Sequence, residues 1–176
     1  MSSCCFTGHR PQSLPFKFNE SDIRCLKLKK DLSSVIKRVI EEQDVRHFIT
    51  GMALGVDTYA AEIVLKLKRK YKDIILEAAV PCENQDLKWC AKDRERYKTI
   101  LEQCDKVTIL QKNYTFDCMH KRNQYMIDNS DIVIAVWNGS PSGTGKTVAY
   151  AQEREKKIVI INPEKLIKNI DFLPDV

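Results

Sequence analysis

The residue types that can do chemistry in this chain gather in three glycine-bearing turns and one helix. The most developed turn is NGSPSGTGKT, from Asn138 to Thr147. It follows an apolar run, Ile132 to Trp137, that reads as a buried strand, and precedes a helical-looking run from Thr147 to Glu155. Strand, glycine-rich turn and helix start present free backbone N–H groups to an anion. Asn138, Gly139, Ser142, Gly143, Thr144, Gly145 and Thr147 are therefore candidates for holding phosphate. Gly145-Lys146-Thr147 matches the end of the nucleotide triphosphatase loop G-x-x-x-x-G-K-S/T, but Ser140 stands where its leading glycine belongs and Gly139 comes one residue early. Little chain then remains for a metal-binding aspartate on a later strand. The turn reads as an anion cradle of another kind.

The first turn, Thr7-Gly8-His9-Arg10, offers a close backbone approach and a guanidinium able to grip a phosphate or carboxylate with two parallel bonds. An ordinary turn with His9 and Arg10 on the surface is the plainer reading. In the second turn, Thr50 to Asp57, Gly51 and Gly55 bracket a tight passage into a helix. Asp57 falls in that helix's first turn, where the helix dipole favours a carboxylate by about 0.3–1 kcal/mol. The functional alternative is an acceptor for ribose hydroxyls. In MHKRNQYM, Met119 to Met126, Arg122 and Met126 share a helix face. Arg122 is a candidate ligand clamp, with Asn123 or Asn138 orienting the ligand; a surface arginine in a basic patch with Lys121 explains it equally. Trp89, Tyr59 and Trp137 are candidates for stacking a base, although large rings more often serve the core. Asp131, at the N-terminal end of its strand, reads as structural.

These turns need elements to hold them. The pattern predicts strands over 3–7, 45–50, 74–80, 106–110, 132–137 and 158–162. Helices are predicted from Ser21 or Asp22 to about Gln43, and over 56–71, about 86–103, 116–129 and 147–155, with a short helix in the tail. Strict alternation of strand and helix requires right-handed crossovers and parallel neighbours. The expected fold is α/β, a Rossmann-like three-layer sandwich with a mainly parallel sheet of about six strands and helices on both faces. Every strand-to-helix turn then falls on one edge of the sheet, where such folds bind ligands.

With 176 residues, 43% of them hydrophobic and 30% charged, the chain reads as one soluble domain over 1–176. No apolar run approaches the ~18 residues of a membrane span, and the start, MSSCCFTGHR, has no secretory pattern. The expected location is the cytoplasm. Seven cysteines without a C-x-x-C pair argue against disulfide scaffold and metal centre alike, and favour reduced thiols packed as small apolar groups. Cys118 lies nearest the candidate site. No metal or cofactor is expected. The net charge of +5 is spread over helix faces with no basic-aromatic groove, so nucleic acid is an unlikely partner.

TGHR, G-x-A-L-G-V-D, P-C-E-N-Q-D-L-K-W, R-N-x-x-M and S-G-T-x-x-T-V-x-Y-A occur in order at successive strand ends. With them the chain resembles the SLOG superfamily, and within it the YpsA-like branch. The resemblance spans nearly the whole chain. It implies binding of a nucleotide-derived small ligand (a nucleotide, an ADP-ribose-like molecule or a cyclic signal) by a sensor, regulator or sequestering protein. Two relatives imply alternatives. Met119, His120, Arg122 and Met126 are similar to a segment of the cytokinin-activating phosphoribohydrolases, which split an N-glycosidic bond. Those enzymes use a glutamate after their glycine-rich turn; Gly143 to Tyr150 holds no carboxylate. A hydrolase would have to rely on Arg122 and Asp57. Gly51 to Asp57 is similar to a turn in DprA, which binds single-stranded DNA. Relatives often form dimers, so a homo-oligomer is an open expectation; no protein partner is implied.

Overall fold

The computed structural model describes residues 1–165. Six strands and five α-helices alternate among them: β1 (Ser2–Gly8), α1 (Ile23–Gln43), β2 (Val45–Thr50), α2 (Val56–Leu67), β3 (Ile75–Val80), α3 (Ala91–Gln103), β4 (Lys106–Ile109), α4 (Cys118–Asp128), β5 (Ile132–Val136), α5 (Gly143–Glu153) and β6 (Lys157–Ile161). A short 3-10 turn, Pro11–Ser13, follows β1. The strands form one sheet in the order β4-β3-β2-β1-β5-β6, and every neighbouring pair is parallel. This is the expected α/β three-layer sandwich.

Alternation along the strands divides the apolar residues between two cores. On one face, Leu32 and Ile36 of α1, Ala60 and Val64 of α2, and Ile100 of α3 pack on Phe6, Phe48, Leu76 and Ile134. On the other, Met126 and Ile127 of α4 and Val148 and Ala151 of α5 pack on Cys5, Ile49, Ala79 and Ala135. β5 is buried at all five residues because helices cover it on both sides. Each buried aliphatic or aromatic side chain contributes about 1.5–3 kcal/mol of transfer free energy.

Cap chemistry sets the helix limits. Asp22 starts α1 by accepting the Arg24 N–H at 2.8 Å, and Asp44, at φ 52°, ends it. The other helices depart from the predicted limits. Past Leu67 the chain continues in tight turns to Tyr71. The stretch expected to open α3 at Asp86 instead makes i to i−3 bonds (Gln85 to Cys82, Leu87 to Asn84, Trp89 to Asp86), and the helix starts at Ala91. α4 starts at Cys118, two residues after Phe116. α5 starts at Gly143, four residues before Thr147, because the Ser142 hydroxyl caps the Gly145 N–H at 3.1 Å. The predicted tail helix lies outside the described residues.

Asp131 is structural, as expected. Its carboxylate accepts from the Ser3 N–H at 2.8 Å and the Ser3 hydroxyl at 2.9 Å, tying β5 to β1 at the edge away from the turns. The seven cysteines are free thiols, and burial pushes that of Cys5 up to about 12. Among the described residues no helix is long and apolar enough to cross a membrane.

Candidate functional site

β1 and β5 are neighbours, but the connection from β1 leads towards β2 and that from β5 towards β6. The connections leaving their C-terminal ends diverge and leave a crevice, the switch point at which open α/β sheets bind ligands. A cavity of about 350 Å³ lies there. β1 and its turn supply Phe6 to Arg10, with Gln12 and Ser13 behind them. The β2–α2 turn supplies Ala53 and Asp57, α4 supplies Met119, Arg122, Asn123 and Met126, and the start of α5 supplies Ser142, Gly143 and Thr144.

Arg122 sits at the centre. Only 4% of it is exposed. One terminal nitrogen donates to the Gly51 carbonyl and lies 3.7 Å from Asp57 Oδ2, and Nε donates to Asn123 Oδ1 at 2.8 Å. Among the described residues the second terminal nitrogen, Nη2, has no protein acceptor. A Cβ on Gly51 would fall 2.0 Å from the guanidinium, so the close approach requires glycine. Asn123 passes the arrangement on: its Nδ2 donates to Thr147 Oγ1 at 2.9 Å, and that hydroxyl donates to the Gly143 carbonyl at 3.0 Å. Asp57, Arg122, Asn123 and Thr147 thereby link the first turn of α2 to the first turn of α5.

Burial pushes the Asp57 carboxyl above the ordinary aspartate value, against the pull of the Arg122 charge and the Ala53 N–H. Its Oδ2 accepts that N–H at 3.2 Å; Oδ1 has no donor among the described residues. The hydroxyls of Thr7 and Thr144, on residues more than nine-tenths buried, are likewise unclaimed by the described residues. Gly143 and Thr144 open α5, where backbone N–H groups have no partner within the helix. Arg10 is exposed at the rim. The cavity thus offers a guanidinium edge, two hydroxyls, a helix N-terminus and a carboxylate oxygen, beside an apolar wall of Phe6, Ala53, Met119 and Met126.

Of the residues singled out by sequence, Thr7, Gly8, His9, Arg10, Asp57, Arg122, Asn123, Ser142, Gly143 and Thr144 line this cavity. Gly51, Gly55, Asn138, Gly139, Gly145 and Thr147 do not. Gly55 caps α2 at φ 92°, with the His9 carbonyl and Pro11 close to where a Cβ would stand. Asn138 holds His9, whose Nε2 lies 2.9 Å from Asn138 Oδ1, and its Nδ2 donates to Glu164 at 2.7 Å. Gly139 turns the chain at φ 87°, and Gly145 packs on Trp137. Of the expected cradle over 139–147, the cap residue Ser142 and the first two residues of α5, Gly143 and Thr144, line the cavity. The base-stacking candidates lie elsewhere: Trp89 packs edge-on against Tyr97, Tyr59 is buried beneath Lys29, and Trp137 donates to the Ser140 carbonyl. Sequence reasoning missed Phe6, Gln12, Ser13 and Ala53 as lining residues. Ala53 sits inside the second turn and was open to suspicion; Gln12 and Ser13 carried no signal.

The profile of the YspA SLOG family matches residues 4–166. The SPbeta prophage-derived protein YoqJ of Bacillus subtilis is 36% identical over 140 residues, covering 73% of this chain and 82% of that protein. A UPF0398 protein of Bacillus thuringiensis is 29% identical over 163 residues, covering 90% of this chain and 86% of its own. Among solved structures, DNA processing protein A from Helicobacter pylori, described with a single-stranded DNA binding mode, aligns at a TM-score of 0.63 and 17% identity over 97% of this chain and 68% of that one. DprA from Streptococcus pneumoniae aligns at 0.62 and 15% identity over 92% of this chain and 50% of that one. These two likenesses establish the shared fold. With a family profile matched over almost its full length, the chain belongs to the YspA SLOG family.

Proposed function

We propose that the cavity binds a nucleotide-derived small ligand through an anionic group, and that the protein acts as a sensor, regulator or sequestering protein for it. One observation carries the reading. Arg122 Nη2 and the Thr7 and Thr144 hydroxyls, all on residues more than nine-tenths buried, line one cavity at a helix N-terminus without partners among the described residues. Donors that face a cavity and are claimed by no other described residue are available to a ligand that accepts from them. A phosphate or similar anion does so in the region where the α5 dipole favours negative charge, and Asp57 Oδ1 is left to accept from sugar hydroxyls. The test is mass spectrometry of small molecules released by denaturing the purified protein, followed by thermal shift with the species found. A near-stoichiometric nucleotide-like ligand, whose stabilisation is lost in Thr144→Val with Arg10→Ala, is expected. An empty protein that no nucleotide or sugar phosphate stabilises overturns the reading.

A second reading has its own observation. Asp57 is a buried carboxyl, raised above its ordinary value, in the same cavity. Such a group can stabilise an oxocarbenium-like state or activate water in N-glycosidic cleavage. Release of free base from nucleoside monophosphates by the wild type, and none by Asp57→Asn, is its signature. Binding of single-stranded DNA, as described for the Helicobacter pylori protein, has the shared fold as its support.

A further inference from the structure

The cavity has groups for an anion and a sugar but little for a base. Its lining holds two rings: Phe6, with no exposed surface, and the His9 imidazole, 4% exposed and held by Asn138. Its volume of about 350 Å³ is at the small end of the ~300–1,000 Å³ usual for ligand pockets. Resting on the nucleotide reading above, we propose that Phe116, just outside the cavity, is the platform on which the ligand's base stacks.

Phe116 is 99% exposed, and Tyr114 two residues earlier is 62% exposed. A ring in full solvent contributes nothing to the core. Yet the loop that presents it, between β4 and α4, is held by its own hydrogen bonds. Gln111 Nε2 donates to the Asn113 carbonyl at 2.6 Å and to Thr115 Oγ1 at 2.8 Å; Thr115 Oγ1 donates to Asp117 Oδ1 at 2.7 Å, and the Cys118 N–H to the Thr115 carbonyl at 3.1 Å. Among the described residues no apolar side chain covers the ring. The loop leads directly into α4, whose first turn brings Met119 to the cavity wall. Phe116 is three residues from Met119, and an extended chain spans at most about 3.6 Å per residue. The two Cα atoms are therefore within about 11 Å, which puts the ring beside the Met119 wall of the cavity. Stacking on one ring accepts any base, because every base has a π-face.

The test compares dissociation constants for the four ribonucleoside 5′-monophosphates and for ribose 5-phosphate, with wild type, Phe116→Ala and Phe116→Tyr. Full exposure of the ring means that neither variant disturbs the fold. Phe116→Ala is expected to weaken the nucleotides by about 5- to 150-fold, the equivalent of about 1–3 kcal/mol, and to leave ribose 5-phosphate within twofold; Phe116→Tyr keeps nucleotide affinity. Unchanged nucleotide affinity in Phe116→Ala overturns the proposal while the cavity reading survives. So does a concentration-dependent dimer that Phe116→Ala abolishes, which would give the ring to a second copy of the chain. Failure of every phosphate to bind the wild type removes the cavity reading and this inference with it.

Discussion

Arg122 shows why one side chain in this site cannot be judged by its charge alone. Two of its nitrogens serve the protein and one is left for the cavity. Arg122→Ala therefore strips a buried partner from Asp57 and a donor from the Gly51 carbonyl. Removing one member of a buried pair costs about 3–5 kcal/mol, so this variant should lose that much stability in urea denaturation, and any loss of binding would be confounded with it. Thr144→Val is the cleaner probe. It removes an unclaimed hydroxyl while keeping the shape, should leave the urea midpoint nearly unchanged, and should weaken a phosphate-bearing ligand by about 1–3 kcal/mol in calorimetry, the range for hydrogen bonds to charged groups. Gln85 poses a related question. Its Nε2 donates to the Gly51 carbonyl at 3.4 Å, and its buried Oε1 has no partner among the described residues. An ordered water within hydrogen-bond reach of that oxygen is expected in a crystal structure, because orphaned buried acceptors are satisfied in this way.

Among the elements, the helix α4 is held to the sheet by an acidic side chain as well as by apolar contact. Glu77 of β3, 1% exposed, accepts from Tyr125 of α4 at 2.8 Å, from Thr108 and Lys106 of β4 at 2.7 and 3.1 Å, and contacts His47 of β2 at 2.8 Å. Burial pushes its carboxyl up, but the hydrogen bonds from Thr108, Tyr125 and Lys106 outweigh this and hold it below the ordinary glutamate value. A carboxyl depressed in the folded state stabilises the fold above its unfolded value, about 4.3. That contribution is lost as pH falls through the folded value. Glu77→Gln should cost about 1–3 kcal/mol at neutral pH. It should also flatten the decline of the urea midpoint below about pH 4.3 relative to wild type; an unaltered acid decline would show that Glu77 does not anchor these elements. The strands were the readable part of this architecture. β2 matched its expected limits, and β5 ended one residue early, because apolar runs stopped by polar turns are a local signal. Helix starts were harder to read. Two glycines in the first turn of α5 have poor helix propensity, yet the Ser142 cap starts the helix before them. Asp86 has the composition of a helix opener, but the chain there closes in three-residue turns. For the site, glycine spacing pointed to the turns that border the cavity, but not to Ala53 within the second turn or to Gln12 and Ser13 after the first. The inward fixing of Arg122 was not legible, since it depends on a carbonyl 71 residues away.

At the scale of the whole molecule, the linkage from Asp57 through Arg122, Asn123 and Thr147 to Gly143 spans three helices packed on opposite faces of the sheet. A ligand touching Thr144 and Arg122 together bridges both ends of this chain of contacts in the cavity beyond the C-terminal ends of β1 and β5. Its effect should therefore extend beyond one loop. At a ligand concentration of 100 times the dissociation constant, mass action stabilises the folded state by about 2.7 kcal/mol. For a chain of this length each kcal/mol raises the unfolding temperature by about 2–4 °C, so a rise of about 5–11 °C is expected. Hydrogen exchange separates a shared response from a local one. If the linkage carries the effect, amides in the first turns of α2 and α5 should gain protection together on binding. Asn123→Ala, which cuts the link between Arg122 and Thr147, should confine the gain to one side. Protection limited to residues 142–144 in the wild type would show that the ligand meets the α5 terminus alone, with Arg122 serving only the architecture.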